Sequence, residues 1–124
     1  MICGIGVDIL DTARLEPLRG KYDDPFFKKT YTGAEYSAGI ARPDPILYFS
    51  ERFAAKEAVF KAISNDSGGL RFSEIETLND DSGKPYVNLY GRAKELCDKM
   101  GIKSLLISIS SDGGHAAAFA VCES

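Results

Sequence analysis

The sequence has no long hydrophobic run, no excess of basic residues and no closely spaced cysteines, and each absence excludes a class of protein. No apolar stretch approaches the ~20 residues of a membrane-spanning helix, and no basic segment precedes the first apolar residues. These two absences predict a cytoplasmic protein without a membrane segment. Cys3, Cys97 and Cys122 lack the short spacings of zinc sites and redox pairs. The formal charge of -3 gives no reason to expect a nucleic-acid-binding surface.

The length and composition predict a single folded domain, residues 1–124. A chain of 124 residues, of which 44% are hydrophobic, can bury one core but hardly two. Charged residues make up 27%, and Gly and Pro are not in excess, which excludes disorder and low complexity.

The N-terminal segment has the alternating pattern of a β-strand. Three apolar side chains alternate with small or polar ones, namely Ile5, Val7 and Ile9 with Gly4, Gly6 and Asp8. We expect the apolar side of this strand to pack against the core. Asp8 would then point away from the packed side.

Helical patterns occur in four places. Asp11 or Thr12 can cap a short helix that Gly20 ends, a looser helix is expected around residues 32–40, and another at residues 92–100 is closed by Gly101. The strongest pattern begins after the two prolines of residues 41–45, with a cap at Ser50, and runs to about residue 63, where residues 64–69 form a turn. Its apolar stripe consists of Phe53, Ala54, Phe60, Ala62 and Ile63, and the side chains off that stripe are Arg52, Lys56, Glu57 and Lys61.

Two hairpins complete the predicted elements. Strands at residues 75–77 and 85–90 flank the turn at residues 80–83, and an alternating strand from Leu105 returns through residues 111–114 into residues 116–121. Helices mixed with antiparallel hairpins predict an α+β fold, with a mostly antiparallel sheet and packed helices.

Asp8 and Glu57 are candidate ligands for a magnesium ion. Mg²⁺ prefers hard oxygen ligands, usually one or two carboxylates, with water and substrate phosphate in the remaining positions. Spacing alone also allows ordinary roles, because Asp8 can cap the following helix and Glu57 can form an exposed i,i+4 pair with Lys61 worth ~0.2–0.5 kcal/mol.

Four segments, taken together, resemble one family. In chain order they are Gly4-Ile5-Gly6-Val7-Asp8-Ile9, Arg52-Phe53-Ala54-Ala55-Lys56-Glu57-Ala58 with Lys61, Gly83-Lys84-Pro85, and Ser108-Ile109-Ser110. Over nearly its whole length the chain resembles the small holo-acyl-carrier-protein synthases, in particular through the helical segment RFAAKEA and the lysine after it. The resemblance implies the 4'-phosphopantetheinyl transferase fold and a Mg²⁺-dependent transfer of 4'-phosphopantetheine from coenzyme A to a serine of apo-acyl carrier protein, with release of 3',5'-ADP.

The resemblance also implies roles for individual residues. Asp8 and Glu57 are similar to the family's Mg²⁺ ligands, and Arg52 and Lys61 look like its phosphate-binding cations; without the resemblance, both cations are typical of a solvated helix face. The coenzyme A contacts implied at the loops are Gly83, Lys84, Pro85, Ser110 and Ser111. Arg14 matches the arginine that meets the acidic carrier protein in this family. A homotrimer with sites between subunits is implied in the same way.

The chain departs from the family at Ser111. The family reads Ser-His-Asp where this chain has Ser110-Ser111-Asp112, and His115, the single histidine, falls at the start of the next strand. Ser111 can form a hydrogen bond but cannot serve as a cation or a strong base. The base that takes the proton of the carrier's serine is therefore open between Glu57, Asp112 and a water on the metal. The departure also leaves an alternative function, a catalytically impaired homologue that binds coenzyme A or carrier protein.

Overall fold

The computed structural model describes residues 1–63 and 69–124. Its strands are β1 (Ile2–Asp11), β2 (Ile75–Asn79), β3 (Pro85–Leu89), β4 (Ser104–Asp112) and β5 (His115–Glu123). Its α-helices are α1 (Pro25–Thr30), α2 (Gly33–Ile40), α3 (Pro45–Ile63) and α4 (Gly91–Lys99). Short 3-10 turns cover Thr12–Arg14, Glu16–Leu18 and Phe72–Glu74. None of the helices in these two ranges is long and apolar enough to cross a membrane.

The strands form two antiparallel sheets. One sheet has the order β1-β5-β4, and the other is the β2-β3 hairpin. α3 packs across β1 and β5 and also contacts β2. Aromatic rings of α1 and α3 fill the core on the other side of α3, with the ring centroids of Phe27 and Phe49 only 4.9 Å apart. The predicted α+β fold is confirmed.

The prediction for the two sides of β1 is wrong. Ile5, Val7 and Ile9 are 70%, 49% and 67% exposed, whereas Gly6 and Leu10 on the other side are buried. The reason is the close approach of α3, whose alanines face the glycine side of the strand. The helix can pack against this side of the strand because glycine has no side chain there.

α3 begins at Pro45, before the predicted cap at Ser50. Ser50 is completely buried inside the helix and caps nothing, so the prediction of an N-terminal cap there is wrong. The backbone N–H of Leu47 donates instead to Oδ1 of Asp44, at 3.3 Å, and Pro45 is tolerated because a first-turn N–H has no partner within the helix. Helix α3 is buried on most sides, and the buried residues include Arg52 and Lys56, which lie off the predicted apolar stripe.

The other elements differ from the prediction mainly at their ends. Both hairpins form, and α2 has the capping box in which Thr32 and Glu35 each accept from the other's backbone N–H. The short helix expected after Asp11 is a pair of 3-10 turns. α1, which Asp24 caps immediately before Pro25, was not predicted from the sequence. The turn predicted at residues 64–69 lies, except for Gly69, outside the described residues.

Candidate functional site

Asp8 and Glu57 lie at the contact between β1 and α3. Asp8 shares the inner side of β1 with the glycines, and Glu57 stands on the flank of α3; both are half-buried. Nζ of Lys61, one turn after Glu57, lies 3.2 Å from Oδ1 of Asp8 and donates to the carbonyl oxygen of Val7 at 3.1 Å. Arg14, in the 3-10 turn after β1, is close enough to act on Glu57 electrostatically. The structure thus brings together both predicted metal ligands, one predicted phosphate cation and the predicted carrier contact.

The surroundings of Glu57 disfavour its negative charge. Burial raises the pKa of Glu57, the negative charge of Asp8 raises it further, and the cations Lys61 and Arg14 only partly oppose these effects. A bound cation would relieve both the burial cost and the repulsion. The donor set of two carboxylate oxygen groups fits a magnesium ion that keeps positions open for water and phosphate.

Arg52 lies on a different side of α3. Five positions separate it from Glu57, so the two side chains leave the helix about 140° apart. Its Nη2 donates to Oδ1 of Asn79 at 3.1 Å, and its Cζ lies 4.5 Å from the ring centroid of Tyr48. Cζ of Arg42 also lies near this ring, 5.1 Å from its centroid. Neither guanidinium pairs with a carboxylate anywhere in the described residues, and Nε of the buried Arg52 has no partner there.

The predicted coenzyme loop lies on this second side. Asn79 pairs with Pro85 at the loop end of the β2-β3 hairpin, so Arg52 reaches the base of the loop that carries Gly83 and Lys84. Oδ1 of Asp80 accepts the backbone N–H of Lys84 at 3.0 Å, and Gly83 has a φ of 88°, which glycine adopts without strain. Gly83 and Lys84 are exposed and available to a ligand.

Ser110, Ser111 and Asp112 lie at the end of β4, where Ser111 is on the side of the sheet that faces α3 and Ser110 is on the outer side. Oγ of Ser111 donates to Oε2 of Glu51 in α3 at 3.0 Å. Ser111 and Asp112 line a surface cavity of about 320 Å³ together with the exposed His115. Nδ1 of His115 lies 3.2 Å from the carbonyl oxygen of Gly113. The tight turn after β4 therefore does bring this ring to the cavity edge.

Two residues of these groups were missed by the sequence analysis. Arg42 beside Pro43 looked like part of a connection, and only the fold sets its guanidinium against Tyr48. Glu51 looked like one more charge on a helix, and its contact with Ser111 joins positions 60 residues apart. No local signal distinguishes either of them.

The fold and the residue pattern together define a transferase of phosphate-linked groups. Residues 4–120 match the family described as the 4'-phosphopantetheinyl transferase superfamily, and the chain belongs to that superfamily. Within it, the chain is 37% identical over 124 residues to a holo-[acyl-carrier-protein] synthase of Syntrophus aciditrophicus, covering 99% of this chain and 97% of that protein. The resemblance inferred from the motifs is confirmed.

Solved structures agree with this assignment. The crystal structure of a holo-[acyl-carrier-protein] synthase from Neisseria meningitidis matches with a TM-score of 0.86 and 32% identity, and covers 100% of both chains. A holo-(acyl-carrier-protein) synthase from Bacillus anthracis, in complex with CoA (3',5'-ADP), matches with a TM-score of 0.80 and 31% identity, over 100% of this chain and 98% of that one.

Proposed function

We propose that this chain transfers 4'-phosphopantetheine from coenzyme A to a serine of an apo-acyl carrier protein and releases 3',5'-ADP. The observation that carries the proposal is the pair of carboxylates, Asp8 and Glu57, flanked by Lys61 and Arg14. The names of the full-length relatives, and the coenzyme seen in one of their structures, support the choice of both substrates.

Asp8 and Glu57 are the proposed ligands of the magnesium ion. When bound, the ion neutralises charge on the pyrophosphate of the coenzyme and orients it. Lys61, held beside Asp8, adds a further positive charge at the same place. The nucleophile belongs to the carrier protein, so the task of this chain is positioning and charge neutralisation.

Arg52 is proposed to bind the phosphates of the coenzyme. Lys84 and the loop that connects β2 to β3 are proposed as further contacts of the same coenzyme. Two guanidiniums around Tyr48 without any carboxylate partner in the described part of the chain are typical of a site for an anion. Ser110 and Ser111 are proposed as further coenzyme contacts. Glu57 is favoured over Asp112 as the group that takes the serine proton, because Glu57 stands beside Asp8 at the proposed metal site, whereas Asp112 lines a separate cavity.

A homotrimer with sites between subunits is proposed on two observations. Ile5, Val7, Ile9, Leu106 and Phe119 are exposed on the outer side of the β1-β5-β4 sheet, and monomers rarely expose contiguous apolar surface of this kind. The side chains of Glu57 and Arg52 leave α3 in different directions. One coenzyme molecule can contact both kinds of side chain more easily if Glu57 belongs to one copy of the chain and Arg52 to a neighbouring copy.

The trimer is tested by a charge on the outer side of the sheet. Phe119→Asp is expected to give monomers in sedimentation velocity and to lose transfer activity. Tyr86→Asp, also at an exposed aromatic position but on β3, is the control and should keep the assembly. An unchanged assembly in Phe119→Asp would rule out this interface.

Arg14 is proposed to contact the acidic carrier protein. It is exposed beside Glu57, and Lys21, Lys28 and Lys29 follow within the next turns of the chain. Arg14→Glu should raise the KM for carrier protein by roughly tenfold and leave the KM for coenzyme A unchanged. Equal effects on both constants would assign Arg14 a structural role.

The function itself is tested by incubating the chain with coenzyme A, Mg²⁺ and apo-acyl carrier protein and measuring the mass of the carrier. A carrier heavier by one phosphopantetheine group, only with Mg²⁺ present, is the expected result. The alternative is a catalytically impaired homologue, and its basis is the serine at position 111, which cannot serve as a cation or a strong base. Coenzyme binding without any mass change would establish that alternative. The cytoplasmic location stays a prediction.

A further inference from the structure

A buried ion pair joins α2 to α3 through two residues that are not proposed to touch a substrate. Nζ of Lys56 lies 2.6 Å from Oε1 of Glu35, and both side chains are 0% exposed. Nζ also donates to the carbonyl oxygens of Phe72, at 2.9 Å, and of Ile75. These contacts use all three protons of the ammonium group. Lys56 precedes Glu57 in the motif, but no substrate can reach it.

Glu35 extends this network into the β2-β3 hairpin. Its Oε2 accepts the backbone N–H of Thr77 in β2 at 2.9 Å, and its Oε1 accepts that of Thr32, the cap of α2, at 3.0 Å. A single ion pair therefore connects α2, α3 and β2 by directional bonds.

Stability alone does not explain such a pair. Removing two charges from water opposes folding, and an apolar pair of the same volume often stabilises a protein equally well. Hydrogen bonds to charged groups also depend on direction. Lys56 can donate to the carbonyl of Ile75, and Glu35 can accept from the amide of Thr77, only when β2 has one particular position along α3.

The same two elements share one other directional contact. Arg52 lies one turn before Lys56 and donates to Asn79 at the far end of β2. If Arg52 binds a coenzyme phosphate, its bond to Asn79 is shared or lost. The contacts of Lys56 at the near end of β2 then remain to hold the hairpin against α3.

We propose that Lys56 is a positioning residue for coenzyme A, which acts through Glu35 and β2 to hold the Gly83-Lys84-Pro85 loop on the Arg52 side of α3. This inference rests on the proposed function, since it takes coenzyme A as the ligand of that side. The magnesium ligands depend on a different contact, the backbone packing of α3 on β1. Loss of Lys56 should therefore weaken coenzyme binding and leave the Mg²⁺ concentration for half-maximal activity unchanged.

The test replaces both partners, Lys56→Met with Glu35→Leu, so that no buried charge is left alone. Titration calorimetry with coenzyme A and Mg²⁺, without carrier protein, is expected to give a Kd raised by roughly tenfold, and the KM for coenzyme A should rise equally. The kcat and the Mg²⁺ concentration for half-maximal activity should change by less than about twofold. A general structural defect would instead lower kcat and weaken the metal response together.

Two further variants complete the experiment. Glu35→Gln keeps the side-chain volume, removes the negative charge and replaces one acceptor oxygen by an NH2 group, so it weakens the contact with Lys56 or with Thr77. It tests the inference even if the double variant does not fold, and its Kd for coenzyme A should rise by roughly threefold. Lys94→Met with Asp98→Leu removes an exposed ion pair of 3.4 Å and should leave the Kd unchanged. An unchanged Kd in Glu35→Gln or in a folded double variant would overturn the inference. Coenzyme binding by the wild type without transfer would instead contradict the proposed function.

Discussion

A Cβ atom on Gly6 would lie 1.9 Å from the carbonyl oxygen of Ala58. Non-bonded atoms do not approach so closely, so β1 and α3 can meet in this way only if position 6 is glycine. Asp8 lies two residues further along β1, and Glu57 immediately precedes Ala58 in α3. The contact between the two backbones therefore also sets the separation of the two carboxylates.

Gly6→Ala is expected to force β1 and α3 apart. The free energy of unfolding should fall by about 1–3 kcal/mol, as in other overpacked cores, and more Mg²⁺ should be needed for activation because Asp8 moves away from Glu57. Urea unfolding and a Mg²⁺ titration of activity measure the two effects. In Gly33→Ala, the control, the added Cβ meets nothing within 4 Å at the start of α2, and stability should stay the same or rise.

Removing either predicted metal ligand should abolish activity without harming the fold. Asp8→Asn and Glu57→Gln are expected to lower Mg²⁺-dependent transfer by at least roughly a hundredfold. The Tm of Glu57→Gln should not fall, because the charge of Asp8 disfavours the ionised Glu57. Glu95→Gln, on the exposed side of α4, serves as the control. Normal turnover in either ligand variant would refute the assignment of the metal site.

Patterns that depend on near neighbours in sequence predicted the elements well. The turn residues at 80–83 and 111–114 predicted both hairpins, and the helical pattern around residues 32–40 predicted α2. The alternation in β1 predicted a strand but the wrong packed side, since the apolar character of one side does not reveal which side a helix of the same chain covers. The cover of Gly6 is α3, more than 50 residues later in the chain.

The site was predictable only as far as the family motif extends. The motif supplied Asp8 and Glu57, which the fold brings together. The burial of Lys56 was not predictable, because its partner Glu35 lies 21 residues away and a lysine off an apolar stripe is ordinarily exposed. Contacts of this kind depend on the packing of separate elements, which periodicity within one element does not describe.

Glu76 should contribute to stability in a way that depends on pH. Burial opposes its ionisation, but hydrogen bonds from Thr32, Asn88 and Tyr90 outweigh this and lower its pKa below the ordinary 4.5. Because the pKa is lower in the folded state than in the unfolded state, the ionised carboxylate stabilises the fold above the unfolded pKa. This contribution is lost as the pH falls through the folded pKa.

The variant Glu76→Gln checks this expectation. Its free energy of unfolding should be lower than that of the wild type by a constant amount near neutral pH, and the difference should shrink as the pH falls below about 4.5. Urea unfolding at a series of pH values measures it. A difference that grows on acidification would contradict the lowered pKa.

Ser111→His restores the residue that the family has at this position and should change turnover by less than about tenfold, or ~1.4 kcal/mol of barrier. The serine hydroxyl already bonds Glu51, so the position has a polar contact without an imidazole. Phosphoryl transfer depends mainly on positioning and on the charge of the metal ion, and neither requires this ring. The measurement is kcat for carrier modification, at saturating coenzyme A, in the wild type and in the variant.

His115→Ala is the matched variant, and it should be silent. Its ring is exposed and has its one hydrogen-bond contact in the described structure with the carbonyl oxygen of Gly113, in its own turn. A rise of more than about tenfold in Ser111→His, with His115→Ala silent, would show that the missing imidazole carries a large part of the rate and would support the impaired-homologue alternative. Loss of activity in His115→Ala would instead mean that the turn of Gly113 and Gly114 delivers this ring to the reaction, since it already lines the cavity of Ser111 and Asp112.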